Sequence, residues 1–306
     1  MNGTAPTTAE GEKPRPLPTP EKLVERLTRL LDVEEIDADI YRGPQQPGGR
    51  GRVFGGQVIA QALVAATRTV GAERPAHSLH AYFMRPGDEE YPIVYQVFRD
   101  YDGRSFATRR IIAIQKGQPI LNMAASFHVR EEGLSHCGEM PKVPPPEDLT
   151  TETEQLRQSK EDLPDQFLRW ATRPRPIEIR PVAPRMVLKP QKRAPQHYSW
   201  FRAAAPIGDD PGLHRAILAF ASDMALLGTC MLPHGVNWVT PNIQTASLDH
   251  AVWMHEDFRA DEWLLYATDS PWSGHARGFN RGLVFTQDGR LVASTAQEGL
   301  VRLRQR

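Results

Sequence analysis

Residues 213–228 read Leu-His-Arg-Ala-Ile-Leu-Ala-Phe-Ala-Ser-Asp-Met-Ala-Leu-Leu-Gly, and this stretch decides the fold. Its apolar side chains recur at helical spacing, a Pro-Gly pair at 211–212 precedes it, and Gly228 follows the last apolar residue. Proline is favoured at a helix start and glycine just past a helix end. The pattern therefore predicts one long, buried helix.

Asp223 is the single carboxylate on the apolar face of this predicted helix. Ala219 lies four residues before it, and Leu226 and Leu227 lie three and four residues after it. Those spacings put all four side chains on one face. A buried carboxylate is costly unless a partner hydrogen-bonds it or the protein uses it. Two interpretations follow, a structural Asp bonded within the core and a catalytic base.

Composition and charge restrict the function classes. The 306-residue chain is 40% hydrophobic, which supports sizeable cores, and its 37 basic residues balance 37 acidic ones. A zero net charge predicts neither a nucleic-acid partner nor a membrane partner. Cys137 and Cys230 form no CxxC pair, which favours a reducing compartment. The sequence has no signal-peptide pattern, no long apolar span and no Ser-Lys-Leu ending. We therefore expect a cytoplasmic protein.

The chain divides into three zones and a tail. Residues 1–20 are rich in Pro, Thr and charge and predict a disordered N-terminal extension. Residues 21–129 predict an α+β domain, and residues 196–306 predict a second one. Between them, residues 130–195 are crowded with Pro and charge, with a polar helix near 151–170 and one strand at 177–180. This composition shift indicates a long connector between two domains.

The two predicted domains resemble each other. Residues 78–85 can be laid against 247–255 with one inserted residue, and residues 115–126 against 287–297 with one residue fewer. The offsets agree to within a few residues, which favours an internal duplication over chance similarity of apolar segments. Each unit is one long helix followed by strands with Lys-Gly or Asp-Gly hairpin turns. A helix of that length needs a sheet curling around it, so the sequence predicts a double hotdog.

Several motifs, in order along the chain, resemble the acyl-CoA thioesterase II family. They lie at residues 52–58, 77–88, 109–115, 221–223, 242–253, 262–266, 276–279 and 292–299. The resemblance runs from about residue 24 to residue 302 and is least distinctive in the connector. It implies hydrolysis of fatty acyl-CoA to free acid and coenzyme A, with no cofactor. It also implies that an Asp, a hydroxyl residue and a Gln activate one water, and these match Asp223, Ser247 and Gln297 here.

The chemistry of these residue types suits that task. A buried carboxylate accepts a proton from water, with a pKa set by burial and hydrogen bonds. Ser247 and Gln297 supply neutral hydrogen bonds that fix the water and the carboxylate. Ser247 replaces the Thr of some relatives, which keeps the hydroxyl and loses a methyl that stiffens the rotamer. The duplication places Val64 opposite Asp223, which predicts one active site per chain, in the second half.

The first half contributes a glycine pair. Gly55 and Gly56 open its long helix, where glycine allows close approach to free backbone N–H groups. They are interpreted either as an oxyanion hole facing Asp223 or as a tight turn that packs the helix start. His77 and His80 point to opposite faces of a strand, so no metal site is predicted. We expect acyl-CoA as the ligand and a homo-oligomer, either a dimer or a tetramer.

Other functions stay open at this point. A non-catalytic acyl-CoA-binding protein would use the same scaffold, and a hotdog 3-hydroxyacyl-CoA dehydratase would pair a helix-borne Asp with a His. A serine hydrolase is disfavoured, because the chain lacks a Gly-x-Ser-x-Gly elbow. Ser247, Asp249 and His250 are neighbours on a predicted strand, so they cannot converge as a triad.

Overall fold

The computed structural model describes residues 17–47, 49, 51–158, 163, 165–184 and 187–304. The predicted disordered extension, residues 1–20, falls mainly on residues 1–16, which lie outside the described residues. The first helix begins at Pro20, one residue inside that extension.

Five α-helices occur in the described part of the chain. They are α1 Pro20–Leu31, α2 Gly55–Thr67, α3 Glu152–Gln158, α4 Asp165–Ala171 and α5 Pro211–Ser222. Two 3₁₀ segments, Pro146–Asp148 and Leu226–His234, accompany them. The Asp210 carboxylate caps α5 by accepting the Gly212 N–H at 2.9 Å, and Pro211 occupies the first helical position. The polar helix predicted near 151–170 corresponds to α3 and α4, with residues 159–162 and 164 outside the described residues.

Thirteen described strands form one antiparallel sheet. They are β1 Glu34–Asp37, β2 Ile40–Gly43, β3 Ala76–Phe83, β4 Ile93–Asp102, β5 Phe106–Gln115, β6 Gln118–His128, β7 Ile177–Pro181, β8 Gln196–Ala203, β9 Ile243–Ser247, β10 Asp249–Met254, β11 Leu264–Gly274, β12 Arg277–Thr286 and β13 Leu291–Leu303. Their order is β1-β2-β4-β5-β6-β3-β10-β13-β12-β11-β8-β7, and β9 pairs with β13. The predicted strand at 177–180 is β7, so the connector adds the last strand of the second half.

The two halves join through one strand pair. Strand β3 of the first half lies antiparallel to β10 of the second, with Ser78 opposite Trp253 and Tyr82 opposite Asp249. Each half thus extends the other's sheet, and neither leaves this edge unpaired. The hairpins β5–β6 and β12–β13, predicted from the Lys-Gly and Asp-Gly turns, are both confirmed.

Helices α2 and α5 pack against each other on the inner face of this sheet. Ile59 and Ala62 of α2 and Ile217 and Leu218 of α5 are buried in one apolar cluster that draws on both halves. Alanine at many of the buried positions lets two helices approach closely and share one core. The stretch Pro211–His234 is long and apolar enough to cross a membrane, but 72% of its most apolar window is buried inside the fold. It therefore serves as core here.

The predicted helix through Gly228 is wrong in its last part. α5 ends at Ser222, and Asp223 follows it as the C-cap residue. Met224 N–H donates to the Ala221 carbonyl at 3.0 Å, so the backbone changes to the tighter i to i+3 pattern. Side chains of β10 and β13 hold Ser222 and Asp223 at this exit, through His250 and Gln297.

Equivalent hydrogen bonds relate the two halves. Met84 N–H donates to the Ile120 carbonyl, and His255 N–H donates to the Val292 carbonyl. The two donor residues are 255 − 84 = 171 positions apart, and the two acceptor residues are 292 − 120 = 172 positions apart. The interruption of β3 pairing between Ala76 and Ser78 corresponds to the break between β9 and β10 in the second half.

This register revises the alignment that the sequence predicted. Since 247 − 171 = 76 and 297 − 172 = 125, Ser247 corresponds to Ala76, and Gln297 corresponds to Ala125. Aligning the helix N-caps, 210 − 54 = 156 residues apart, places Thr67 opposite Asp223, one turn beyond the predicted Val64. The first half therefore carries neither the carboxylate nor the amide.

Candidate active site

Asp223 lies where α5 ends, and its side chain is only 5% exposed. Helix α5 places it between the sheet of its own half and the first turn of α2 from the other half. Because no cation lies within ion-pairing distance among the described residues except a buried histidine, neutral hydrogen-bond donors must stabilise its charge.

Gln297 and Ser247 meet this carboxylate. Gln297, fully buried on β13, donates from Nε2 to Asp223 Oδ1 at 2.6 Å. Ser247, at the end of β9, donates from Oγ to the same oxygen in a long bond of 3.4 Å. Gln297 Nε2 also lies 3.2 Å from Ser247 Oγ. The structure thus brings all three predicted catalytic residues into one hydrogen-bonded group.

The glycine pair of the first half lies against Asp223. A Cβ atom on Gly55 would stand 2.7 Å from Asp223 Oδ2, and one on Gly56 would meet the Phe220 carbonyl. The Gly56 backbone N–H faces the Asp223 carboxylate and lowers its pKa. Both glycines are therefore required by close approach of α2 to the end of α5, and the positive end of α2 faces the carboxylate.

His250 is a member of the site that sequence reasoning did not find. Its imidazole is fully buried, with Nδ1 3.1 Å from Gln297 Nε2 and Nε2 2.8 Å from Ser222 Oγ. The detectable signal was the alternating pattern of β10, which puts His250 on the inner face with Val252 and Met254. The strand spacing excludes His250 from a serine triad and by itself predicts no other role for it.

Burial sets the charge states of this group. Desolvation raises the pKa of Asp223 to about 6, against hydrogen bonds from Gln297, the Gly56 backbone and Ser247 that lower it. Desolvation also lowers the pKa of His250 to about 4. At neutral pH the carboxylate is ionised and the imidazole is neutral. The 4.0 Å separation of His250 Nδ1 and Asp223 Oδ1 is therefore not an ion pair.

One acceptor in the group has no partner. Gln297 Oε1 is buried and accepts no hydrogen bond from any described atom. Buried amide oxygens are almost always paired, with protein or with water. This oxygen belongs to the same amide that binds Asp223, so the site holds an ionised carboxylate beside an unused acceptor. That combination suits a water molecule that donates one proton to each.

Other polar side chains of the first half have structural partners. Arg109 is buried and donates to Asp102 at 2.6 Å and to the Thr69 hydroxyl, while Arg110 pairs with Asp100. These contacts hold strands of the first half together. His77 bonds Ser126, and His80 stacks edge-on against Trp253. Within the described ranges, no cluster of three or more His, Cys, Asp or Glu side chains is placed to hold a metal ion.

Comparison with known families covers both halves of the chain. Residues 42–128 match the model described as the acyl-CoA thioesterase N-terminal domain, and residues 170–300 match the model described as acyl-CoA thioesterase. Human acyl-coenzyme A thioesterase 8 is 41% identical over 286 residues, which cover 91% of this chain and 89% of the human protein. The similarity therefore extends over nearly the whole length of both proteins.

Solved structures agree with this comparison. The crystal structure of an acyl-CoA thioesterase II, TesB2, from Mycobacterium marinum is 41% identical, with a TM-score of 0.75, 91% of this chain covered and 99% of that one. A protein of unknown function with a hotdog fold from Alicyclobacillus acidocaldarius is 22% identical, with a TM-score of 0.73, and covers 92% and 99%. At 22% identity, the similarity to the Alicyclobacillus acidocaldarius protein concerns the fold alone. The predicted double-hotdog architecture is confirmed.

Proposed function

This chain belongs to the acyl-CoA thioesterase family, and we propose that it hydrolyses its substrate with one water activated by Asp223, Ser247 and Gln297. The reaction converts an acyl-CoA thioester and water to a free acid and coenzyme A. The observation that carries the proposal is a buried carboxylate with a pKa of about 6, bonded by Gln297 beside that residue's unpaired Oε1.

The reaction begins with proton transfer. Asp223, ionised at neutral pH, accepts one proton from the water as its oxygen attacks the thioester carbon. A base with a pKa near the working pH combines ionisation with useful basicity. Gln297 Oε1 accepts the second hydrogen of the water, and Ser247, whose bond to Asp223 is long at 3.4 Å, turns its hydroxyl to donate to the same water oxygen. These contacts hold the attacking lone pair toward the substrate.

The reaction ends with expulsion of the thiol. Attack forms a C–O bond and a tetrahedral oxyanion, whose collapse breaks the C–S bond. The departing sulfur takes the proton that Asp223 received from the water, which restores the carboxylate. Atoms and charges balance, and no covalent enzyme intermediate is required.

Stabilisation of the oxyanion is assigned to the first turn of α2. The N–H groups at a helix start lack helical partners and carry partial positive charge. Since the Gly56 N–H faces Asp223, the Gly55 N–H is the donor we propose for the oxyanion. The active site then needs both halves, with the base from the second and the donor from the first.

The dehydratase alternative has one feature in its favour, a histidine near Asp223. Its geometry does not suit that chemistry, however. Both ring nitrogens of His250 are bound within the protein, and the ring is fully buried. With Nε2 bonded to Ser222 and Nδ1 to Gln297, neither ring nitrogen is free to take a proton from the substrate or to protonate a leaving hydroxyl. A protein that only binds acyl-CoA has no need of a buried carboxylate with a raised pKa, or of the Gln297 side chain that donates to it.

We also propose a homo-oligomer, a dimer or a tetramer, in a reducing cytoplasm without membrane or nucleic-acid partners. Tyr82, 62% exposed on the outer face of the β3–β10 junction, and the Trp253–His80 pair beside it support an interface there. Both cysteines are free thiols, which supports a reducing compartment. Light scattering of the purified protein tests the oligomeric state, and cell fractionation tests the cytoplasmic location.

One assay separates the three functions. Purified protein is incubated with a panel of saturated and 3-hydroxy acyl-CoA substrates of increasing chain length. Free thiol is read with a chromogenic disulfide, and the enoyl product by its ultraviolet absorbance. Catalytic thiol release without enoyl absorbance is expected. Stoichiometric binding without turnover, or enoyl formation, would overturn the proposed function.

A further inference from the structure

His250 is a buried, titratable group that the hydrolytic steps do not use. It lies between Ser222 at the end of α5 and Gln297 on β13, without access to substrate. It thus links the hydroxyl of the residue before the general base to the amide that binds the water.

The hydrogen-bond chain fixes which ring nitrogen carries the proton. The Ser222 hydroxyl donates to the Ala219 carbonyl at 3.1 Å, so its only proton is used. Ser222 Oγ must then accept from His250 Nε2–H across 2.8 Å. A neutral imidazole with its proton on Nε2 has an unprotonated Nδ1. His250 Nδ1 is therefore an acceptor.

That acceptor in turn fixes the orientation of the Gln297 amide. His250 Nδ1 lies 3.1 Å from Gln297 Nε2, and only the NH₂ side of an amide can donate to it. The second N–H of the same group donates to Asp223 Oδ1 at 2.6 Å. The amide oxygen then has no protein donor left, in agreement with the unpaired Oε1.

From this chain, we infer that His250 is a positioning residue that keeps the Gln297 oxygen turned toward the attacking water throughout the catalytic cycle. The inference rests on the proposed function. While Asp223 is ionised, it favours the same amide orientation, because a carboxylate accepts only from NH₂. Once Asp223 has taken the proton, its hydroxyl can donate to a flipped amide oxygen. Ser247 Oγ, 3.2 Å from Gln297 Nε2, can donate as well as accept and so accommodates either amide orientation. His250 Nδ1, which only accepts, is therefore the contact that opposes the flip at that moment.

The test compares two substitutions of the same residue. In His250→Asn, the amide oxygen can take the position of Nδ1 and accept from Gln297, while the bond to Ser222 is lost. In His250→Gln, the longer amide reaches the position of Nε2 and keeps Ser222, but the acceptor for Gln297 is lost. A merely structural histidine predicts similar losses from both variants.

We expect kcat to fall at least about tenfold in His250→Gln and less than about threefold in His250→Asn, with KM within about twofold in both. Thermal unfolding of both variants verifies that the fold is retained. In a Gln297→Ala background, His250→Gln should cause no further loss of kcat, because the residue it positions is gone.

Three results would overturn the inference: equal losses in the two variants, full kcat in His250→Gln, or an undiminished effect of His250→Gln without Gln297. Asp223→Asn, assayed beside them, separates this inference from the function on which it rests. If Asp223→Asn is inactive and His250→Gln keeps the kcat of the wild type, only the role of His250 is refuted. A fully active Asp223→Asn removes the proposed mechanism itself.

Discussion

Gln297 Nε2 lies 2.6 Å from Asp223 Oδ1, although the two residues are 74 positions apart in the chain. One sits at the centre of the longest strand of the second half, and the other at the end of the helix that this sheet covers. The helix–sheet packing of the hotdog fold therefore assembles the site directly. A neutral donor lets the carboxylate stay buried without the strong pKa depression that a cation would cause.

The water-binding pair should act as one unit. We expect Gln297→Ala to lower kcat by about 10²-fold and Ser247→Ala by about tenfold, since the Ser247 bond to Asp223 is the longer one. The double variant should resemble Gln297→Ala alone. Ser294→Ala is the matched control, because Ser294 lies on the same strand and bonds His255 on the other face. Independent multiplication of the two losses in the double variant would contradict a shared water.

The pH dependence of activity should report the ionisation of Asp223. Because the base works only when ionised, kcat/KM should fall as pH drops through about 6 and level off above it. His250, with a pKa of about 4, stays neutral over that range and should add no second step. Initial rates of thiol release between pH 5 and 8 measure this. A midpoint near the ordinary aspartate value would contradict the burial argument.

The same pKa predicts a stability change. The folded protein holds a proton on Asp223 that the unfolded chain releases between about pH 4 and pH 6, so this group's contribution to stability declines as pH rises through that window. Asp223→Asn removes the effect. Its free energy of unfolding relative to the wild type should therefore increase by about 1 kcal/mol from pH 5 to pH 7. Urea denaturation at both values measures it, and a constant difference would contradict the prediction.

Sequence patterns identified much of this site, for physical reasons that can be named. Asp223 interrupts an apolar helical pattern, and motif resemblance pointed to Ser247 and Gln297. The hairpin turns were predicted correctly, because both turns need a left-handed backbone, which Gly117 and Gly289 adopt readily. Each of these signals is local in the sequence.

The parts that the sequence did not predict depend on long-range contacts. The α5 helix ends at Ser222 rather than continuing to Gly228, because Ser222 and Asp223 are held by groups of β10 and β13. The role of His250 depends on the direction of a hydrogen-bond chain through three elements. The register that relates the two halves is visible only in their backbone hydrogen bonds, which the sequence does not give.

The close approach of the two halves at Gly55 can be tested directly. In Gly55→Ala, the added methyl would stand 2.7 Å from Asp223 Oδ2 and 2.9 Å from the Phe83 ring. Overpacking of this kind displaces groups at a cost of about 1–3 kcal/mol, so we expect kcat to fall at least about tenfold. Gly212→Ala, at the start of α5, meets only the Asp210 side chain at 3.2 Å and serves as the control. Full activity in Gly55→Ala would show that α2 need not lie against the base.

The most direct test of the account is the kcat of Asp223→Asn for acyl-CoA hydrolysis, beside Asp249→Asn. Asparagine keeps the shape of Asp223 but cannot accept the proton, so kcat should fall by about 10²–10⁴-fold. Asp249 is a half-buried carboxylate on the adjoining strand whose Oδ1 accepts the Glu298 N–H, and its substitution should change kcat less than about threefold. Near wild-type turnover in Asp223→Asn would contradict the assignment of Asp223 as the base.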